Sequence, residues 1–219
     1  MYISPWSWYT LILGAGDAQR LPLYKPGFST TFHEQAWFLG YMEHNFRVKI
    51  PTPRGPLPGN YQIGLVYDPL PVTEFREAWR AVTHRNGNLA FYVGFDQMLY
   101  RENEKDDQGL GLFFRFSYRD PKLYRFNEFY SGGFQYKGLI PTRNSDVFGF
   151  GFATLVDSDQ YRHIVNTNSG NETIYELYYA IAVTPWLIIT PDLQYIDNPG
   201  ANETLSHTLA GGFRFRIIF

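Results

Sequence analysis

Cysteine is absent, which rules out a disulfide framework, a thiolate nucleophile and a cysteine metal site. Charge is sparse as well. Asp, Glu, Lys and Arg make up 18% of the residues, below the roughly 25% of ordinary soluble domains. The net charge of -2 leaves no basic footprint for nucleic acid. Long apolar runs are missing too: nothing reaches the ~18 residues that a membrane-crossing helix needs. The longest greasy stretch, around Tyr178 to Ile189, is interrupted by Thr184 and Pro185. Helical periodicity is nearly absent, with Glu74 to Val82 the one helix-like stretch. No Lys or Arg precedes the apolar segment Trp8 to Ala15, since the first basic residue is Arg20. A secretory signal wants a positive start, so Trp6 to Asp17 reads as a strand. A chain of export type without an export signal is expected to be incomplete at its start.

What is abundant is aromatic: 19% of the chain, with 17 Tyr and 19 Phe. Many rings, few charges and a polar mean hydropathy point to strands with one greasy and one wet face. Strand-like segments are expected at 6–17, 34–50, 59–68, 88–100, 108–119, 127–138, 146–157, 172–183, 186–196 and 207–219. These are about ten strands, each near the length of a tilted membrane-crossing strand. Short and long connections largely alternate. Thr184-Pro185 and Pro141 to Ser145 are short, whereas Ala18 to His33, Pro69 to Gly87 and Ser158 to Asn171 are long. Pro51 to Pro58 and Asp120 to Phe126 blur the pattern. Barrels of the outer membrane have short turns at one end and longer loops at the other.

Alternation within the strands sets their orientation. Phe213, Phe215, Ile217 and Phe219 share one face of the last strand, and Arg214 and Arg216 lie on the other. Leu110, Leu112, Phe114, Phe116 and Tyr118 oppose Arg115 and Arg119. Each Arg turned to lipid at mid-membrane costs about 2–4 kcal/mol. Two of them would cost about 4–8 kcal/mol, comparable with the roughly 5–15 kcal/mol that holds a typical domain together. The arginine face must therefore be the wet interior. In the run Phe148 to Phe152, Gly149 and Gly151 are expected to face inward, opposite the three phenylalanines.

Six stretches resemble the carbohydrate-selective porins, the OprB-like family. They are PLPGNYQIGLVYDP (56–69), GFDQMLYRE (94–102), DQGLGLFFRFSYRDP (107–121), GGFQYKGLIPTRNSDVFGFGFA (132–153), YELYYAIAVTPWLIITPDLQYIDNPG (175–200) and AGGFRFRIIF (210–219). The aromatic last residue, Phe219, also resembles the terminal signal of outer-membrane barrels. The resemblance implies an all-β, transmembrane antiparallel meander barrel of the outer-membrane porin type, with about 16 strands in the whole family fold. Against that, the ten or so strands here suggest that about six N-terminal strands are missing from a single barrel domain spanning 1–219. The resemblance further implies a Gram-negative outer-membrane location and passive diffusion of glucose and similar monosaccharides. It implies no enzyme activity and no cofactor. The implied partners are outer-membrane lipid, small sugars as solutes and, often in the family, two further copies in a homotrimer.

A passage for sugars should offer charged and amide groups for hydroxyls and rings for the apolar C–H faces. By parity the inward candidates are Asp96, Arg115, Arg119, Gln135, Lys137, Glu176, Asp192, Gln194, Arg214 and Arg216, with Tyr92 and Tyr178 supplying rings. The 69–87 connection, with Arg76, Trp79, Arg80 and Arg85, is a further candidate for solute contact. Other chemistries lack motifs. The five His show no HExxH or other zinc spacing, and no GxSxG elbow is present.

Overall fold

The computed structural model describes residues 1–18, 38–76, 84–85 and 87–218. Eleven strands form one antiparallel sheet in chain order: β1 (Tyr2–Trp6), β2 (Tyr9–Asp17), β3 (Phe38–Ile50), β4 (Leu57–Asp68), β7 (Asn88–Arg101), β8 (Gly109–Tyr118), β9 (Phe126–Lys137), β10 (Val147–Asp157), β11 (Glu172–Thr184), β12 (Leu187–Asp197) and β13 (Thr208–Ile217). Two short strands, β5 (Val72–Thr73) and β6 (His84–Arg85), pair apart from it in the β4–β7 connection. β1 and β13 are not bonded to each other, so the sheet is an open meander.

The count differs from the sequence reading at the N-terminus. The segment 6–17 is not one strand. Trp6 pairs with Tyr9 across a two-residue turn, and Tyr2–Trp6 is a strand of its own. No Gly, Asn or Asp marks that turn, and Pro5 argues against a strand, which Pro enters only at edges. β1 is indeed the edge strand. The polar connection 158–171 contains a helix, α1 (Asp159–Ile164), capped by Ser158, whose hydroxyl accepts from the Tyr161 amide. The expected helix at 74–82 lies largely outside the described residues, as does Phe219.

The strands sort the connections to two ends. At one end are 7–8, 51–56, 102–108, 138–146 and 185–186; at the other are 18–37, 69–87, 119–125, 158–171 and 198–207. The longest connections share the second end, as the alternation implied, although 119–125 is no longer than 102–108.

The registers fix the faces. Phe148 pairs with Tyr136 and Tyr179, and Phe150 with Phe134 and Leu177. Gly149 and Gly151 take the other face, opposite Gln135 and Gly133. At Leu99 an extra residue interrupts β7, so that Met98 pairs with Gly111 and Tyr100 with Leu110. The bulge returns the Tyr100 ring to the greasy face, 6.5 Å from Tyr136. Gly109, at φ +141°, sits against this bulge. A Cβ there would fall 2.0 Å from the Tyr100 carbonyl, so only glycine fits.

An apolar core is nearly missing. Among the described residues only Ala18, Leu57, Leu123 and Ala201 are buried apolar side chains. By contrast Leu177 is 43%, Leu193 47% and Phe215 68% exposed, all on one face. Water would punish such a surface at about 25 cal/mol for each Å² of apolar area. A hydrocarbon surrounding removes that penalty.

Candidate functional site

The opposite face of the sheet is polar. Its residues come from strands whose every second side chain points the same way. β7 contributes Tyr92 and Asp96, β8 Arg115, and β9 Gln135 and Lys137. β11 contributes Glu176 and Tyr178, β12 Asp192 and Gln194, and β13 Arg214 and Arg216. Eleven of the twelve residues singled out from the sequence thus lie on one face. The twelfth, Arg119, lies one residue beyond β8 in the connection 119–125, where its guanidinium sits 4.8 Å over the Tyr124 ring.

Charges on this face are mostly paired. Arg115 donates to Asp96 at 2.6 Å and to the backbone carbonyls of Phe95 and Phe114 at 2.7 and 2.8 Å. Lys137 donates to both oxygens of Asp107, at 2.6 and 2.7 Å. Arg214 donates to Glu176, and its Nε lies 3.4 Å from Asp192. Arg216 has no ion-pair partner among the described residues. Asp107 lies in the connection before β8, where the Lys137 ammonium bonded to it holds its carboxyl below the usual range.

The sequence reading passed over β3 and β4. Glu43, Asn45, Arg47 and Lys49 on β3 and Asn60 and Gln62 on β4 lie on the same polar face. The signal was available: in β3 a polar side chain stands at every second position from Glu43 to Lys49. Tyr92 donates to Glu43 at 2.5 Å and so links β7 to β3 across the intervening β4.

Rings on this face lie over glycines. A Cβ on Gly14 would fall 2.1 Å from the Tyr41 ring, one on Gly64 2.1 Å from Tyr92, and one on Gly149 2.3 Å from Tyr178. Phe113 covers Gly133 in the same way, at 2.9 Å. Each aromatic side chain rests on a neighbouring strand that has no side chain there. The rings therefore hug the wall instead of projecting from it.

At the end with the longest connections, Arg125 ties three segments together. Its Nη2 donates to the Ser169 hydroxyl and to the Gly200 and Ala201 carbonyls, each at 3.0 Å. Its Nε lies 3.5 Å from the carboxylate of Asp157, whose side chain is fully buried. In the 69–87 connection, Arg85 pairs with Asp120 and Glu74, and Arg76 with Glu74. The Arg76 guanidinium beside Glu74 holds that carboxyl below its usual range. Trp79 and Arg80 lie outside the described residues.

An antiparallel meander, greasy on one face, charged on the other and nearly devoid of a buried apolar core, is the wall of a transmembrane β-barrel of the outer-membrane porin type. The family model for carbohydrate-selective porins of the OprB type matches residues 13–219, and the chain belongs to that family. It is 25% identical to Porin B of Pseudomonas aeruginosa, over 74% of this chain and 42% of that protein. It is 22% identical to the putative porin QuiX of Acinetobacter baylyi, over 74% of this chain and 41% of that protein. The high-pH structure of Pseudomonas putida OprB superposes with a TM-score of 0.82 at 21% identity, covering 99% of this chain and 57% of that one. The low-pH structure gives 0.52 at 20% identity. The chain thus spans about two fifths of the length of the curated relatives it matches.

Proposed function

We propose that this chain builds part of the wall of an outer-membrane channel through which glucose and similar monosaccharides diffuse passively. The observation that carries this reading is the division of the sheet: ion-paired, amide-bearing side chains on one face, and exposed aromatic and aliphatic side chains on the other. The greasy face meets the lipid of the Gram-negative outer membrane. The polar face lines water and exchanges hydrogen bonds with passing hydroxyls. Paired charges suit a neutral polyol, because they offer donors and acceptors without a strong net field. The wall does no covalent chemistry in this reading. Asp96, Arg115, Gln135, Lys137, Glu176, Asp192, Gln194, Arg214 and Arg216 contribute polar groups along the path, and Tyr92 and Tyr178 contribute rings.

The test is solute swelling of liposomes that carry the full-length protein. Monosaccharides are expected to enter faster than disaccharides, at rates proportional to their gradient. Liposomes that swell no faster than protein-free ones would refute the reading. So would a stable monomer extracted into buffer without detergent, which would mean that the greasy face does not meet lipid.

A further inference from the structure

We infer that Tyr178 is the floor of a pyranose-binding subsite in the wall, rimmed by the Glu176–Arg214 ion pair; this rests on the sugar-channel reading above. A recess of about 430 Å³ opens on the polar face between β9 and β13. Gln135, Glu176, Tyr178, Thr190, Arg214 and Arg216 are among its lining residues. Ligand pockets begin at about 300 Å³, so the recess has room for one sugar ring with some water.

The floor is set by Gly149. The Tyr178 ring lies against its Cα, within 2.3 Å of where a Cβ would stand, and so presents a broad apolar surface to the recess. The ring cannot settle deeper into the wall. Of the four rings that rest on glycines, Tyr92 has its hydroxyl engaged by Glu43. The Tyr178 hydroxyl has no hydrogen-bond partner among the described residues, and it stays open to a solute hydroxyl.

The rim supplies directional polar groups. Arg214 stands 5.9 Å from the ring centroid, at the outer limit of a cation–π contact, and is ion-paired with Glu176, with Asp192 3.4 Å from its Nε. With its side chain 60% exposed, it keeps N–H donors facing the recess. Arg216, without an ion-pair partner among the described residues, adds a second fork of donors. Glu176 and the Gln135 amide provide acceptors. A flat C–H face below and hydroxyls around the equator are the chemistry of a pyranose. An acyclic hexitol carries the same hydroxyls without the flat face.

The test uses the full-length protein in planar bilayers, with glucose and sorbitol as probes of current block. Tyr178→Ala is expected to raise the half-blocking glucose concentration about three- to tenfold, the size of one aromatic contact. Tyr178→Phe keeps the platform but loses the open hydroxyl, and is expected to raise that concentration by a smaller factor than Tyr178→Ala does. Gly149→Ala forces the ring off the wall and is expected to weaken glucose block although the ring is still present. Sorbitol block should respond to none of the three. If Tyr178→Ala leaves glucose block unchanged in a channel that still conducts glucose, the subsite is wrong and the porin reading stands. If the wild-type protein conducts no glucose at all, the porin reading fails and takes the subsite with it.

Discussion

The guanidinium of Arg115 on β8 is bonded at 2.6 Å to the carboxylate of Asp96 on β7, and two backbone carbonyls hold it flat against the wall. The pair is open to water, with Asp96 51% and Arg115 34% exposed. Screening therefore keeps its contribution to stability small. A double-mutant cycle on Asp96→Ala and Arg115→Ala should give a coupling of about 0.2–1 kcal/mol. The larger effect should be on ions. Asp96→Ala leaves the arginine in place through its carbonyl bonds, with its charge uncompensated. Reversal potentials in a salt gradient should shift toward anion preference, and in Arg115→Ala toward cation preference. Equal potentials in both variants would mean that this pair does not line the conducting path.

Much of this face was legible because β-strand geometry is local. A period of two places Arg214 and Arg216 together whatever the rest of the chain does, and the cost of a lipid-facing charge then decides which way they point. The structure keeps that assignment through β12, where Thr190 and Ile188 pair with them. The Trp6–Tyr9 hairpin was illegible because its turn lacks the usual turn residues, and only pairing with β2 makes Tyr2–Trp6 a strand. The ring-on-glycine contacts were illegible for another reason. Tyr178 and Gly149 are brought together by the register of two strands, and no local pattern states a register. Arg119 shows the limit of parity, which says nothing about where a strand stops.

A turn at the opposite end from Arg125 should respond to acid. Asp146 precedes β10, and its side chain is only 3% exposed. Burial alone would raise its carboxyl. Hydrogen bonds from Arg143, the Ala182 amide and the Tyr179 hydroxyl, at 2.7–2.9 Å, outweigh burial and hold it below the usual range. A carboxyl that titrates lower in the folded chain than in the unfolded one stabilises the fold above the ordinary carboxylate range. That contribution is lost as pH falls through the folded value. Urea unfolding midpoints should therefore be flat from neutral pH down to about 4 and fall below it. Asp146→Asn should lower the neutral plateau by about 1.5–3 kcal/mol and flatten the acid fall. An acid limb as steep in the variant as in the wild type would place the titrating group elsewhere.

At the other end, Arg125 reinforces the connections 158–171 and 198–207, which the Gly170 and Glu203 amides already join by donating to the Ala201 and Asn168 carbonyls. Arg125→Ala removes three hydrogen bonds and leaves Asp157 buried without its counter-charge, a loss of about 2–3 kcal/mol. The loss should be confined to the loops, since the strand ladders do not depend on it. Limited proteolysis should cut within 158–171 and 198–207 faster in the variant, while the strands stay protected. Arg125→Lys restores a charge near Asp157 but cannot fork to Ser169 and Ala201, so its cleavage rate should fall between the two. Cleavage at the wild-type rate in both variants would show that other contacts hold these loops.

The sharpest test of the two-faced wall uses one strand. Leu177 and Ala180 both lie on β11, three residues apart and therefore on opposite faces. Leu177 pairs with Phe150 and Leu193 on the greasy side, and Ala180 with Val147 on the polar side. Leu177→Arg puts a guanidinium into hydrocarbon at a cost of about 2–4 kcal/mol. Ala180→Arg puts the same group into water, where its desolvation penalty vanishes. The first variant should lose folded protein in lipid, read as the fraction that keeps the compact, heat-modifiable electrophoretic form. The second should fold normally and carry less current, because an added side chain narrows the path. The substituted residue type is identical in both, so differences in helix or strand propensity cannot account for the contrast. A reversed order of damage would turn the sheet inside out and place Arg214 and Glu176 against lipid.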